Sequence, residues 1–83
     1  MIPVFRNGKI YNYDTSYGDR SWSQDENFIA AAFFATSVDQ GYEDSISYTL
    51  AYMYVSLIKQ PELNYESLYL EHIKKIMDHV ERA

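Results

Sequence analysis

The chain of 83 residues carries twelve Asp and Glu against seven Lys and Arg, a net charge of −5, and it has no cysteine. This charge disfavours general nucleic-acid binding, because neutralising phosphates requires clustered basic side chains. The missing thiols exclude disulfides, thiolate catalysis and Cys-based zinc sites. A chain of this length predicts one domain, residues 1–83, whose thin stability margin requires close packing or oligomerisation.

Residues 2–13 are predicted to form a β-hairpin. Asn7 and Gly8 lie between two β-prone runs, which is a strong indication of a two-residue hairpin turn. That turn would place the side chains of the Val4–Tyr11 pair and of the Ile2–Tyr13 pair on the same face of the hairpin. The predicted cross-strand pairs are Arg6–Lys9, Phe5–Ile10, Val4–Tyr11 and Ile2–Tyr13.

Residues 14–22 are predicted to be loop, because turn-forming residues dominate there. Helix start and stop signals predict three helices after it, which gives an α+β fold that is mostly helical. A first helix of about 24–40 begins after a capping box formed by Ser23 and Glu26. A second helix of about 45–59 ends before Pro61, which cannot continue it.

A third helix is predicted at about 65–82, because its apolar residues recur at the spacing of a one-sided amphipathic helix. The opposite face carries charged residues, including Lys74 and Asp78. The predicted apolar stripe consists of Tyr65, Tyr69, Ile73, Ile76 and Val80.

The first two helices differ from the third because they are apolar on nearly every side. Residues 27–38 and 45–58 contain no charged side chain at all. A helix that is apolar all round must be buried all round, and one hairpin with one amphipathic helix can hardly cover two of them. We therefore predict a homo-oligomer, most simply a dimer, with Tyr48, Tyr52 and Val55 at its interface. The alternative is a compact monomer with exposed tyrosines.

No pattern in the sequence indicates catalysis, a cofactor or a metal. His72 and His79 are seven residues apart, whereas metal-binding helices favour ligands four residues apart. The glycines are isolated, and no strained turn presents a nucleophile. The acidic pairs at 25–26 and 43–44 sit where helix N-termini favour negative charge. The chain is therefore predicted to be non-enzymatic, with no catalytic residue, cofactor or metal.

The surface loops combine acidic residues with tyrosines. Between Ser21 and Ile58 there is no Lys or Arg, so this region should present a field of one sign. Carboxylates that steer approach, together with tyrosines that supply contact area, favour docking on a basic protein surface. The alternative is that these acids only keep the chain soluble. The predicted partner-binding residues are Tyr17, Asp19, Asp39, Tyr42, Glu43 and Asp44.

The leading functional hypothesis is a protein-binding inhibitor or sequestering module, of the general kind represented by immunity proteins, antitoxins and phage anti-defence proteins. One alternative is an oligomeric small-molecule or nucleotide binder with a tyrosine-lined pocket, in which Arg6, Lys9 or the pair at 74–75 meets phosphates. Another alternative is a purely structural homo-oligomeric subunit. The sequence contains no signal-peptide pattern and no sufficiently apolar stretch, so we expect a cytoplasmic protein without membrane contact.

Overall fold

The computed structural model describes residues 1–60, 62, 64, 66, 73, 74 and 76–78. An antiparallel hairpin is followed by helices, which confirms the predicted α+β fold. A single turn of 3-10 helix at Thr15–Tyr17 lies between the hairpin and the first long helix. The longer elements are β1 (Ile2–Arg6), β2 (Lys9–Tyr13), α1 (Gln24–Asp39) and α2 (Asp44–Lys59).

The hairpin has the register that the turn predicts. Asn7 and Gly8 both have positive φ angles, 50° and 76°, as a two-residue turn of this hand requires. The side chain of Tyr13 is buried, and those of Val4 and Tyr11 are half-buried, so this face packs inward. The observed pairs confirm all four predicted ones: Arg6–Lys9, Phe5–Ile10, Val4–Tyr11 and Ile2–Tyr13.

The predicted capping box starts α1. The Ser23 hydroxyl accepts from the Glu26 N–H at 3.2 Å, and the Glu26 carboxylate accepts from the Ser23 N–H at 2.7 Å. At the other end, Gly41 has a φ of 100°, and the Tyr42 N–H donates to the Ser37 carbonyl at 3.1 Å. This is the left-handed helix ending that a glycine makes possible, so α1 stops close to where the sequence predicts.

Helices α1 and α2 run antiparallel and approach closely. The Lys59 ammonium at the end of α2 lies 3.2 Å from the Glu26 carboxylate at the start of α1. Ala30 and Ala35 on α1, and Ser47 and Ala51 on α2, are completely buried. Small side chains at the contact allow two helix backbones to come near each other.

The centre of the core is aromatic. The ring of Tyr13 lies 5.7 Å from that of Phe34 and 5.5 Å from that of Tyr48, measured between centroids. The Trp22 ring lies 5.0 Å from that of Tyr52. The hairpin, the loop that follows it and both helices therefore meet in one cluster, as a chain of this size requires.

The third predicted helix, about 65–82, lies mostly outside the described residues. Ile73 and Ile76 have helical backbone and are buried in the core cluster, while Lys74 and Asp78 are exposed. At these four positions the predicted amphipathic pattern is confirmed. Of the predicted stripe, Tyr65, Tyr69 and Val80 fall outside the described residues.

The residues predicted to face a second copy belong instead to the core of the single chain. Tyr48, Tyr52 and Val55 are 8%, 4% and 1% exposed. The Tyr48 hydroxyl accepts from the Asp14 N–H at 3.1 Å, so the loop after the hairpin attaches to this side of α2. These three side chains are therefore covered in the single chain, and their place at an interface stays a prediction. Oligomerisation itself stays a prediction.

Candidate functional site

The six predicted partner-binding side chains divide into two groups. Three of them, Tyr17, Asp19 and Asp39, contact other parts of the same chain. The other three lie together at the turn between α1 and α2 and are exposed. We refer to this second group, Tyr42, Glu43 and Asp44, as the acidic turn.

Asp39 binds the tip of the hairpin rather than facing solvent. One carboxylate oxygen accepts from the Tyr11 hydroxyl at 2.7 Å. The other accepts from the Asn7 amide at 2.6 Å and from the Arg6 guanidinium at 3.3 Å. The Tyr11 hydrogen bond, followed by those from Asn7 and Arg6, lowers the pKa of Asp39 below its ordinary value. This carboxylate therefore joins the end of α1 to the hairpin.

The loop that holds Tyr17 and Asp19 is anchored to the core. The ring of Tyr17 lies 4.2 Å from that of Tyr48. Asp19 accepts from the Ser21 N–H at 2.8 Å and from the Tyr52 hydroxyl at 3.1 Å. Both predicted partner-binding side chains thus have internal roles, which are to hold the loop against the inner side of α2.

In the same loop, the backbone of Gly18 packs closely against the ring of Trp22. A Cβ atom at Gly18 would lie 2.8 Å from an atom of the Trp22 ring and 3.3 Å from the Tyr13 hydroxyl. A Cβ atom 2.8 Å from the Trp22 ring would overlap it, so the ring or the backbone would have to move. Glycine is therefore required here for space, which is a reason that sequence inspection does not provide.

The acidic turn presents an aromatic ring beside two carboxylates on a well-fixed backbone. Tyr42 is 50% exposed, and Glu43 and Asp44 are also exposed. The Glu43 carbonyl accepts from the Ser47 N–H at 2.9 Å, whereas the Glu43 side chain makes no capping hydrogen bond. The backbone at this point is held by both helices, while its side chains project from the turn.

A second exposed surface lies on the helices for which the sequence predicts a dimer interface, but on other residues than the predicted ones. It lies on the outer sides of α1 and α2, where large apolar side chains remain partly exposed. The ring of Phe33 on α1 stacks on that of Tyr54 on α2, with centroids 4.6 Å apart and planes at 21°. The all-round apolarity of both helices was the available signal. We name this set the helical apolar face: Phe28, Ile29, Phe33, Tyr54, Leu57 and Ile58.

The outer side of the hairpin is apolar as well. Phe5 and Ile10 are cross-strand partners and both are exposed, opposite the inward pair Val4 and Tyr11. The signal in the sequence is that apolar residues occupy alternate positions on both faces of β1. This pair is smaller than the helical apolar face, and Arg6 and Lys9 flank it directly.

Of the seven tyrosines in the described part of the chain, Tyr13, Tyr48 and Tyr52 are buried in the core. The rings of Tyr13 and Tyr48 pack against each other and against Phe34, and burial raises the pKa of Tyr13. Tyrosines packed in this way are not positioned to stack on a base. Of the cations proposed for phosphates, Arg6 is paired with Asp39, and Lys75 lies outside the described residues.

The predicted absence of catalysis and of a metal site stays a prediction. His72 and His79 lie outside the described residues. Within the part of the chain that the structure describes, no three His, Asp or Glu side chains are grouped so as to hold a metal ion. In the same part, no helix combines the length and apolarity needed to cross a lipid bilayer.

Comparison with models of protein families, with curated proteins and with solved structures finds no match to this chain. Its function is therefore inferred from its own surfaces. Among the described residues, the acidic turn and the helical apolar face both combine exposed side chains with a backbone held by α1 and α2.

Proposed function

We propose that this chain is a small, non-catalytic protein-binding module that docks on a basic protein surface through the acidic turn. One observation carries the proposal: Tyr42, Glu43 and Asp44 are neighbouring, exposed and held between two helices. No Lys or Arg occurs between Ser21 and Ile58, so the chain supplies no cation of its own from this segment.

Each component of the turn has a distinct physical role in docking. The carboxylates of Glu43 and Asp44 attract a basic partner and raise the association rate. The ring of Tyr42 supplies apolar area and a hydroxyl with little loss of conformational entropy, and so slows dissociation. Occupation of a basic active surface in this way would make the chain an inhibitor or a sequestering protein.

The proposal is tested with a matched pair of charge reversals. Asp44 and Asp25 are both exposed, and each lies in the first turn of a 16-residue helix. Replacing either residue by Lys changes the net charge equally. Each replacement also lowers the free energy of unfolding by roughly 0.3–1 kcal/mol, because the start of a helix favours negative charge. Asp44→Lys alters the acidic turn, whereas Asp25→Lys alters the opposite end of the helix pair.

The parent and both variants are immobilised, exposed to cell lysate at low salt and eluted with a salt gradient. We expect a basic protein to be retained by the parent and by Asp25→Lys, and to be lost or eluted at lower salt from Asp44→Lys. Retention of that protein by all three chains, with equal salt dependence, would contradict a role for the turn. Retention that falls equally in both variants would indicate an unspecific charge effect.

A further inference from the structure

The helical apolar face extends over the outer sides of α1 and α2, which meet at the stacked rings of Phe33 and Tyr54. Ile29 lies one helical turn before Phe33, and Ile58 lies one turn after Tyr54. Because the helices are antiparallel, these two outer residues lie toward the same end, and the stacked rings of Phe33 and Tyr54 connect the two rows. Phe28 lies at the edge of this surface on α1, and Leu57 lies at its edge on α2.

The exposed apolar side chains of the face can supply part of the area that a stable protein interface needs. An interface of standard size buries about 800 Å² on each partner, and slightly more than half of that is apolar. Apart from Phe33, which is half-buried, the side chains of the face are between 37% and 52% exposed. The two partly exposed rings of Phe28 and Tyr54 together offer about 200 Å². The three branched aliphatic side chains add to this.

The absence of charge favours an uncharged occupant over a charged one. Residues 27–38 and 45–58 carry no charged side chain, and charges begin only at the helix ends. A basic partner seated on this face would bury its cations without counter-charges, which is costly. A second copy brings the same uncharged face, so no carboxylate of one copy has to pack against a carboxylate of the other. Repulsion between the remaining charges is screened over about 8 Å at physiological ionic strength.

We infer that the helical apolar face is a homodimer interface, in which α1 and α2 of two copies pack across a two-fold axis. Such an interface is isologous, since each copy contributes the same residues. The acidic turn lies at the far end of the helix pair from the Glu26–Lys59 ion pair and stays exposed in the dimer. The dimer therefore goes beyond the proposed docking function, and gives each assembly two acidic turns.

The chain contains its own matched control for this interface. Ile58 on the helical apolar face is 52% exposed, and Ile10 on the outer side of the hairpin is 57% exposed. Ile58→Glu and Ile10→Glu make the same chemical change at similar exposure, but only the first places a carboxylate in the proposed interface. Ile29→Gln provides a milder, uncharged change on α1.

Mass in solution is measured by sedimentation equilibrium, and folding of each variant is checked by circular dichroism. We expect the parent and Ile10→Glu to be dimers, and Ile58→Glu to be a folded monomer whose dimer dissociation constant rises by about 100-fold or more. Ile29→Gln should weaken the dimer by a smaller factor.

Three outcomes would overturn the inference. The first is a parent that stays monomeric up to high concentration. The second is a dimer that Ile58→Glu and Ile29→Gln leave intact, which would place the interface elsewhere. The third is a monomeric parent that Ile58→Glu unfolds, which would mean that the chain's own residues cover the face. Because none of these variants touches the acidic turn, partner capture in the salt-gradient experiment is read separately.

Discussion

Tyr52 and Tyr54 are the same residue type, two positions apart on one helix, yet they have opposite environments. Tyr52 is 4% exposed, its ring lies 5.0 Å from that of Trp22, and its hydroxyl donates to Asp19. Tyr54 is 43% exposed, and its ring stacks on Phe33 at the outer side of the helix pair. Both sides of α2 are apolar, so hydrophobicity alone did not select the one that faces inward.

Hydrogen bonds from the loop after the hairpin distinguish the two sides. Tyr48 and Tyr52 carry the hydroxyls that bond the backbone of Asp14 and the carboxylate of Asp19. Polar groups taken out of water must be paired, and on this side of α2 the tyrosines supply the partners. These polar contacts with a distant segment therefore stabilise the rotation of α2 that turns Tyr48 and Tyr52 inward.

The largest expected effect comes from truncating the two tyrosines separately. Tyr52→Ala should lower the free energy of unfolding by about 3–5 kcal/mol, because it empties a buried aromatic site. Tyr54→Ala should cost the monomer less than about 1.5 kcal/mol, because that ring is partly in water. Urea denaturation at low protein concentration measures both. Equal costs would mean that the inner and outer sides of α2 are not energetically distinct.

A second prediction concerns the fit of the loop beneath the inner side of α2. Gly18→Ala should destabilise the fold by about 1–3 kcal/mol, since the new methyl group meets the Trp22 ring. Trp22→Leu removes that ring, so adding Gly18→Ala to it should cost much less than adding it to the parent. Additive costs in this double-mutant cycle would show that the glycine is needed for another reason.

Removing only the hydroxyl groups sharpens the comparison. Tyr52→Phe deletes the bond to Asp19 and should cost about 1–2 kcal/mol, because a hydrogen bond to a carboxylate is lost from a partly buried place. Tyr54→Phe keeps the stacked ring and should change the stability by less than about 0.5 kcal/mol. If thermal or urea unfolding shows no difference between the two variants, hydrogen bonding does not set the orientation of α2.

Local features of the fold were predictable and distant contacts were not. The register of the hairpin follows from the turn at Asn7 and Gly8, and the start of α1 follows from Ser23 and Glu26, all within a few residues. By contrast, the bond from Asn7 to Asp39 spans 32 residues. No local pattern reports such a contact, and the carboxylate was accordingly predicted to bind a partner.

The same limit applies to the candidate site. The acidic turn was identified because it lies directly between two predictable helices, where side chains are displayed. The interface was assigned to Tyr48 and Tyr52 because no periodicity separates the two sides of an apolar helix. Knowing the bonds from the loop after the hairpin would have placed Tyr48 and Tyr52 in the core of the single chain.

The smallest expected effect tests how Asp39 joins the hairpin to α1, and it appears as a pH dependence. The pKa of Asp39 is lowered in the folded chain, chiefly by the Tyr11 hydroxyl. An acid with a lowered folded pKa contributes stability that is fully present above its unfolded pKa, about 3.9, and is lost as the pH falls through the folded value. Asp39→Asn should therefore be less stable than the parent at neutral pH, with a difference that shrinks below about pH 4.

Tyr11→Phe should reduce the same acid dependence by removing the bond at 2.7 Å. Unfolding temperatures measured from pH 7 to pH 2 decide the matter, and a parent–variant difference that stays constant over this range would show that the ionised carboxylate of Asp39 does not stabilise the junction.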